Sequence, residues 1–211
     1  MDIIRIKELA FDKMGKRKPH SKREKGYIFY HGLRTAELAI QIREMIDETD
    51  NSKDNIIYTA SLFHDIAKGI EPHNENGCIL VEHVLKHECS DEELREITEI
   101  IRYHNSRGSS QKWVKEIRVV QDADMLDHMG TMEVWLNFVH QAFDGKSVNA
   151  SIDFYNDKMF KDYLKDCRSK LNYDISKKIF DDRAKFIHEF IDRLSVEGKG
   201  KIFNQNWVNG C

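Results

Sequence analysis

The chain has 211 residues, 40% of them hydrophobic and 33% charged, with a formal net charge of −3. That length supports one domain with a real core and is short of two comfortable ones. No run reaches the roughly 18 apolar residues of a membrane-spanning helix, and Met1-Asp2-Ile3-Ile4-Arg5 lacks the order of a secretory signal. The acidic balance argues against a dedicated nucleic-acid binder. A cytoplasmic protein is expected.

Only Pro19 and Pro72 interrupt long stretches rich in Glu, Lys, Ile and Leu, so the composition predicts an all-α fold. Residues 3–14 suit a short helix. Residues 15–25 (GKRKPHSKREK) hold six Lys/Arg against the single Glu24. This run reads first as a solvated loop, second as a basic lip beside a site for an anionic substrate, with Lys16, Arg17 and Lys18 in it. A nucleic-acid patch comes third, because aromatic residues are not interleaved.

Helices are predicted near 28–48, 55–68, 76–88, 91–104, 116–128, 131–143, 152–170 and 175–195. Ser90-Asp91-Glu92-Glu93 is a capping box opening the 91–104 helix, and Gly69 suits a C-terminal cap for 55–68. No segment alternates with period two, so no sheet is expected. Cys78, Cys89, Cys167 and Cys211 are scattered without a CxxC pair and read as reduced thiols.

The informative residues are ionisable groups that fall within apolar stripes. His31, Thr35, Leu38, Ile42 and Met45 share one face of the 28–48 helix. Ile57, Ala60, His64 and Ala67 share another, with Asp65 directly after His64. Leu94, Ile97 and Ile101 lead to His104, and Ile117 and Val120 lead to Asp124. Four helices therefore each carry a histidine or an aspartate inward. Burying such groups unpaired costs several kcal/mol each by order of magnitude, and one divalent cation satisfies them together. Imidazole and carboxylate suit Mn, Fe, Co, Ni or Zn, with Mg also open. Taken singly, each residue also reads as a hydrogen-bonded core histidine, a helix cap or an arginine's partner.

At these positions the sequence resembles the HD-domain metal-dependent phosphohydrolase superfamily. The strings YHGLRTAELA, ASLFHDIAKG and VVQDADMLDHMG match its H…HD…D motif over about residues 27–145. The resemblance implies His31, His64, Asp65 and Asp124 as metal ligands, with Asp124 chosen over its neighbours Asp122 and Asp127. His73 and His104 fall where some members carry extra ligands or phosphate contacts, which implies a second metal or substrate binding. A solvated loop residue is the other reading of His73. Met125 replaces an Arg common in the family, and HDIAK replaces HDIGK. His83, His87, His128, His140 and His188 match no ligand position.

The implied organisation is a single helical bundle: 1–26 an N-terminal helix and basic loop, 27–145 the HD core, 146–211 a helical extension packed on it. The implied activity is hydrolysis of a phosphate ester or anhydride, most plausibly of a nucleotide, by metal-activated water. Asp65 or Asp124 would orient the water and His104 would serve as general acid or phosphate contact. Arg34 and Lys68, each one turn after a ligand, and His73 would hold the phosphate. A sensor module that has lost turnover, an HD di-iron oxygenase, and an interaction protein using the helices after 150 are the alternatives. Phe154, Tyr155, Phe160 and Tyr163 read as core or as a face for a homodimer.

Overall fold

The computed structural model describes residues 1–108 and 112–203 and contains ten helices and no strand among them. Cys211 lies outside the described residues, and no disulfide joins Cys78, Cys89 or Cys167. Among the described residues no helix is long and apolar enough to cross a membrane.

The chain divides into two compact units, Met1–Asp127 with Lys170–Lys177, and His128–Ser169 with Lys178–Cys211. The division thus falls directly after Asp127, not at residue 145, and a short later segment returns to the first unit. Asp122 is what fastens that segment: its carboxylate accepts from Asn172 N (2.9 Å), Asn172 Nδ2 (2.8 Å) and Tyr173 N (3.1 Å).

In the first unit, α1 (Ile3–Met14) is capped by the Asp2 carboxylate and buries Ile6, Ala10 and Met14. The long α2 (Tyr27–Ile46) packs against α3 (Asp54–Phe63) and α6 (Lys115–Asp127), while α4 (His73–Leu85) pairs with α5 (Asp91–Tyr103). The buried stripe of α2 runs through Ile28, His31, Thr35, Ala39 and Ile42; Leu38 is half-buried and Met45 is 59% exposed. The last turn of α2 therefore leaves the core earlier than the sequence spacing predicts. The capping box forms as predicted, Ser90 Oγ accepting from Glu93 N and Glu93 from Ser90 N.

Gly32 sets the distance between α2 and α3. A Cβ there would stand 2.3 Å from the Leu62 carbonyl oxygen, so only glycine lets these backbones meet. The contact brings His31 beside His64. Beyond Phe63 the helix tightens: Ile66 N bonds Phe63 O, Lys68 N bonds Asp65 O and Ile70 N bonds Ala67 O. These i→i+3 turns, ended by Gly69 at φ +92°, replace the α-helical turn predicted to 68.

The second unit holds α7 (Thr131–Phe143), α8 (Val148–Asn156), α9 (Lys158–Ser169) and most of α10 (Asp174–Glu197). The single helix predicted over 152–170 is two. Asp157 is extended, and its carboxylate accepts from Met159 N at 2.6 Å, so it starts a new helix as an N-cap. Tyr155 and Phe160 are buried at the resulting corner, whereas Phe154 and Tyr163 are exposed.

Candidate metal centre

α2, the 64–69 turn, α4, the end of α5 and α6 deliver His31, His64, Asp65, His73, His104 and Asp124 to one place. His31 Nε2 lies 3.1 Å from His64 Nε2 and 3.2 Å from Asp124 Oδ1. Asp124 Oδ1 is 3.5 Å from His64 Nε2. Asp65 divides its oxygens. Oδ2 stands 3.9 Å from His31 Nε2 and 3.8 Å from His64 Nε2. Oδ1 stands 3.6 Å from His73 Nε2 and 3.8 Å from His104 Nε2. His31, His64, Asp65, His104 and Asp124 are all buried.

The other ring nitrogens explain why this cluster is unusual. His64 Nδ1 donates to Ser61 O (2.7 Å) and His104 Nδ1 to Ile101 O (2.6 Å), and a carbonyl can only accept. His31 Nδ1 donates to Asp127 Oδ2 (2.7 Å) and His73 Nδ1 to Glu71 Oε2 (3.0 Å). With Nδ1 protonated in all four rings, the Nε2 lone pairs face each other and two carboxylates. His73 Nε2 is buried with no hydrogen-bond partner among the described residues. Ligand atoms converging in this number is the arrangement a divalent cation resolves, and anchoring each imidazole through its remote N–H is the usual support of such ligands.

Charges around the cluster agree. Burial opposes ionisation of Asp65, yet His64 and Lys68 hold its carboxyl down to about 2. Asp124 lies well below its ordinary value, because Arg107 and His64 outweigh its burial. Burial, reinforced by His64, pushes His104 down to about 4. Burial would lower His31 too, but Asp124 and Asp127 draw it up to about 9. One proton on His31 answers only one of the convergent lone pairs. Groups within ligand reach of each other include His31–His64–Asp65, His64–His104–Asp124 and Asp65–His73–His104, and each could hold a metal ion. Nitrogen with carboxylate oxygen is a borderline donor set, matched to a transition ion better than to calcium.

The remaining sequence-predicted residues are placed differently. His73 opens α4, with its side chain 13% exposed, and is not a solvated loop residue. Lys68 Nζ lies 3.3 Å from Asp65, with the side chain half exposed. Arg34 does not reach toward the cluster as a phosphate fork. Its Nε and Nη2 grip the two oxygens of Asp127 at 2.8 and 2.9 Å. His104 carries no Nε2 proton to give near neutrality, so a general-acid role does not fit its bonding. Arg17, expected in a basic lip, instead donates to the backbone carbonyls of Ile66 and Lys68.

Two participants escaped the sequence reading. Asp127 lies one turn after Asp124 on the same face of α6, so spacing alone could have found it. Arg107 could not be found that way. It sits in irregular chain after α5 and pairs with Asp124 Oδ2.

The HD-domain sequence profile matches residues 28–129. This chain is an HD-domain protein. The matched stretch contains all six clustered residues and ends just beyond Asp127. Solved structures share the fold over nearly the whole chain. An HD-superfamily hydrolase of Bacillus thuringiensis aligns over 95% of this chain and 100% of its own, at 23% identity and TM-score 0.68. YpgQ of Bacillus subtilis in complex with ADP aligns over 97% and 98%, at 18% identity and TM-score 0.60. The Lin1889 protein of Listeria innocua aligns over 94% and 98%, at 22% identity and TM-score 0.61. No curated protein matches the sequence.

Proposed function

We propose that this HD-domain protein is a metal-dependent phosphohydrolase that cleaves a phosphate ester or anhydride of a small nucleotide-class substrate with activated water. The observation that carries this reading is the meeting of four Nε2 atoms and two carboxylates, more ligand atoms than the single His31 proton can answer. His31, His64, Asp65 and Asp124 would hold one ion. His73 and His104 would hold a second, sharing Asp65 through its other oxygen. A divalent ion in such a place supplies Lewis acidity toward a phosphoryl oxygen and lowers the pKa of water toward about 7.

The chain's own groups supply the rest. Lys68, half exposed at the edge of Asp65, is a point charge for a phosphoryl oxygen. Arg107, tied to Asp124 and 21% exposed, sets that carboxylate's orientation and keeps a cationic edge toward solvent. Arg34 acts through Asp127, which fixes the His31 ring. The capture of ADP by the similarly folded YpgQ supports a nucleotide among the substrates.

The purified protein is expected to carry a transition metal by elemental analysis and to hydrolyse members of a phosphorylated-substrate panel assayed with Mn²⁺, Co²⁺, Ni²⁺ or Mg²⁺. His64→Ala and Asp124→Ala should lose metal and hydrolysis together while keeping helical circular dichroism. Full activity of Asp124→Ala in excess chelator would overturn the assignment.

A further inference from the structure

The basic segment 15–25 is anchored by one of its own arginines. Arg17 spends its guanidinium on the Ile66 and Lys68 carbonyls, locking the segment against the turn that carries Asp65. Gly26, at φ +80°, then turns the chain into α2; a Cβ there would stand 2.6 Å from the Gly15 carbonyl oxygen. The segment is thus held at the start of the helix that carries His31.

Arg23 and Tyr27 emerge from this turn as an ordered stack. The Arg23 guanidinium carbon lies 4.9 Å from the centre of the Tyr27 ring. That ring lies nearly parallel to the His31 imidazole, at 9° and 5.8 Å between centres. Tyr27 is only 6% exposed, yet its hydroxyl has no hydrogen-bond partner among the described residues, and neither has the buried Nη1 of Arg23. Leaving such groups unsatisfied in the interior is costly. Burial is the main influence on the Tyr27 hydroxyl and keeps it protonated; Arg23, Asp127, Arg34 and Asp65 are the charges that bear on it. Asp127 is already paired with Arg34, and Asp65 with Lys68.

We infer that Arg23 and Tyr27 form an anion subsite beside the metal centre that takes a second phosphoryl group of the substrate. The inference rests on the hydrolase reading above and deepens it. A hydroxyl donor and a guanidinium edge together match a multiply charged oxyanion. The subsite makes a diphosphate unit a better ligand than a lone phosphate.

The test is calorimetric titration of the Mn²⁺-loaded protein with imidodiphosphate, whose bridge resists hydrolysis, and with inorganic phosphate. Wild type is expected to prefer imidodiphosphate by about tenfold or more. Tyr27→Phe keeps the ring stack and removes only the hydroxyl; Arg23→Gln removes the charge. Each is expected to cut the preference by about threefold to tenfold, the worth of one lost hydrogen bond. An unchanged preference in both variants, in protein that binds phosphate and hydrolyses its substrates, overturns the subsite and leaves the hydrolase reading intact. A lowered preference in protein that hydrolyses nothing keeps the subsite and defeats the hydrolase reading. Binding of neither ligand defeats both.

Discussion

Asp127 holds the His31 ring from behind: its Oδ2 accepts from Nδ1 at 2.7 Å while Arg34 grips both carboxylate oxygens. Burial opposes its ionisation, but the bonds from His31 and Arg34 keep its carboxyl at about 2. Of the imidazole anchors, those of His64 and His104 are backbone carbonyls that no substitution can remove. Asp127 is therefore the buried anchor open to mutation. Asp127→Asn keeps one acceptor for His31 and loses the Arg34 fork. Outer partners of metal-bound histidines typically contribute 10–100-fold to affinity or activity. Asp127→Asn is expected to weaken Mn²⁺ binding by about tenfold or more, measured by competition with a fluorescent chelator. An unaltered affinity would show that Asp127 merely fills space.

Asp65 faces His31 and His64 with Oδ2 and His73 and His104 with Oδ1, which separates the ligands into two groups. Two ions per chain are expected in protein reconstituted with Mn²⁺ or Fe²⁺, and one in His73→Ala or His104→Ala. Hydrolysis should fall by about 10–10³-fold in those variants if both ions act on the phosphoryl group, by the size of effect that loss of one stabilising contact has elsewhere. Elemental analysis reads the stoichiometry. One ion in the wild type, unchanged in both variants, would confine the site to the first group.

What the sequence revealed here follows from periodicity. His31, His64, His104 and Asp124 lie on apolar stripes, so their burial and convergence could be argued from spacing. The His-Asp doublet added a resemblance that the fold supports. Residues lacking that regular spacing are harder to place. Arg107 reaches Asp124 from irregular chain, and the one-turn proximity of Arg34 to His31, which suggests a phosphate contact, does not reveal the competing pull of Asp127. Pro72 reads as a break before His73 in the sequence, whereas it stands at the N-cap of α4. The split at Asp157 was hidden for a related reason: continuous apolar spacing carries across a one-residue extended link, and only the Asn156-Asp157 pair marks it.

Gly32→Ala is predicted to damage the metal centre without touching a ligand. The added Cβ would meet the Leu62 carbonyl oxygen at 2.3 Å, and neither that oxygen nor the adjoining backbone can move without parting α2 from α3. Overpacking of this kind costs about 1–3 kcal/mol or more, equivalent to a melting shift of several degrees for a protein of this size. Because the shift separates His31 from His64, metal affinity should fall as well. A melting curve and a metal titration indistinguishable from wild type would refute the close-approach argument.

Glu133 gives the second unit a pH dependence of its own. Burial lifts its carboxyl from 4.5 to about 7, opposed only by the Tyr155 hydroxyl, and its Oε2 is buried with no hydrogen-bond partner among the described residues. From pH 4.5 to 7 the folded chain keeps a proton that the unfolded chain has released. Stability therefore declines as pH rises through that window, and the decline is complete above about 7. Glu133→Gln keeps a side chain of the same shape and cannot ionise. Comparing the loss of melting temperature between pH 5 and pH 8 in wild type and in the variant cancels the contribution of other titrating groups. The variant is expected to lose several degrees less than wild type. Equal losses would mean that Glu133 finds a partner or solvent and titrates as an ordinary surface carboxylate.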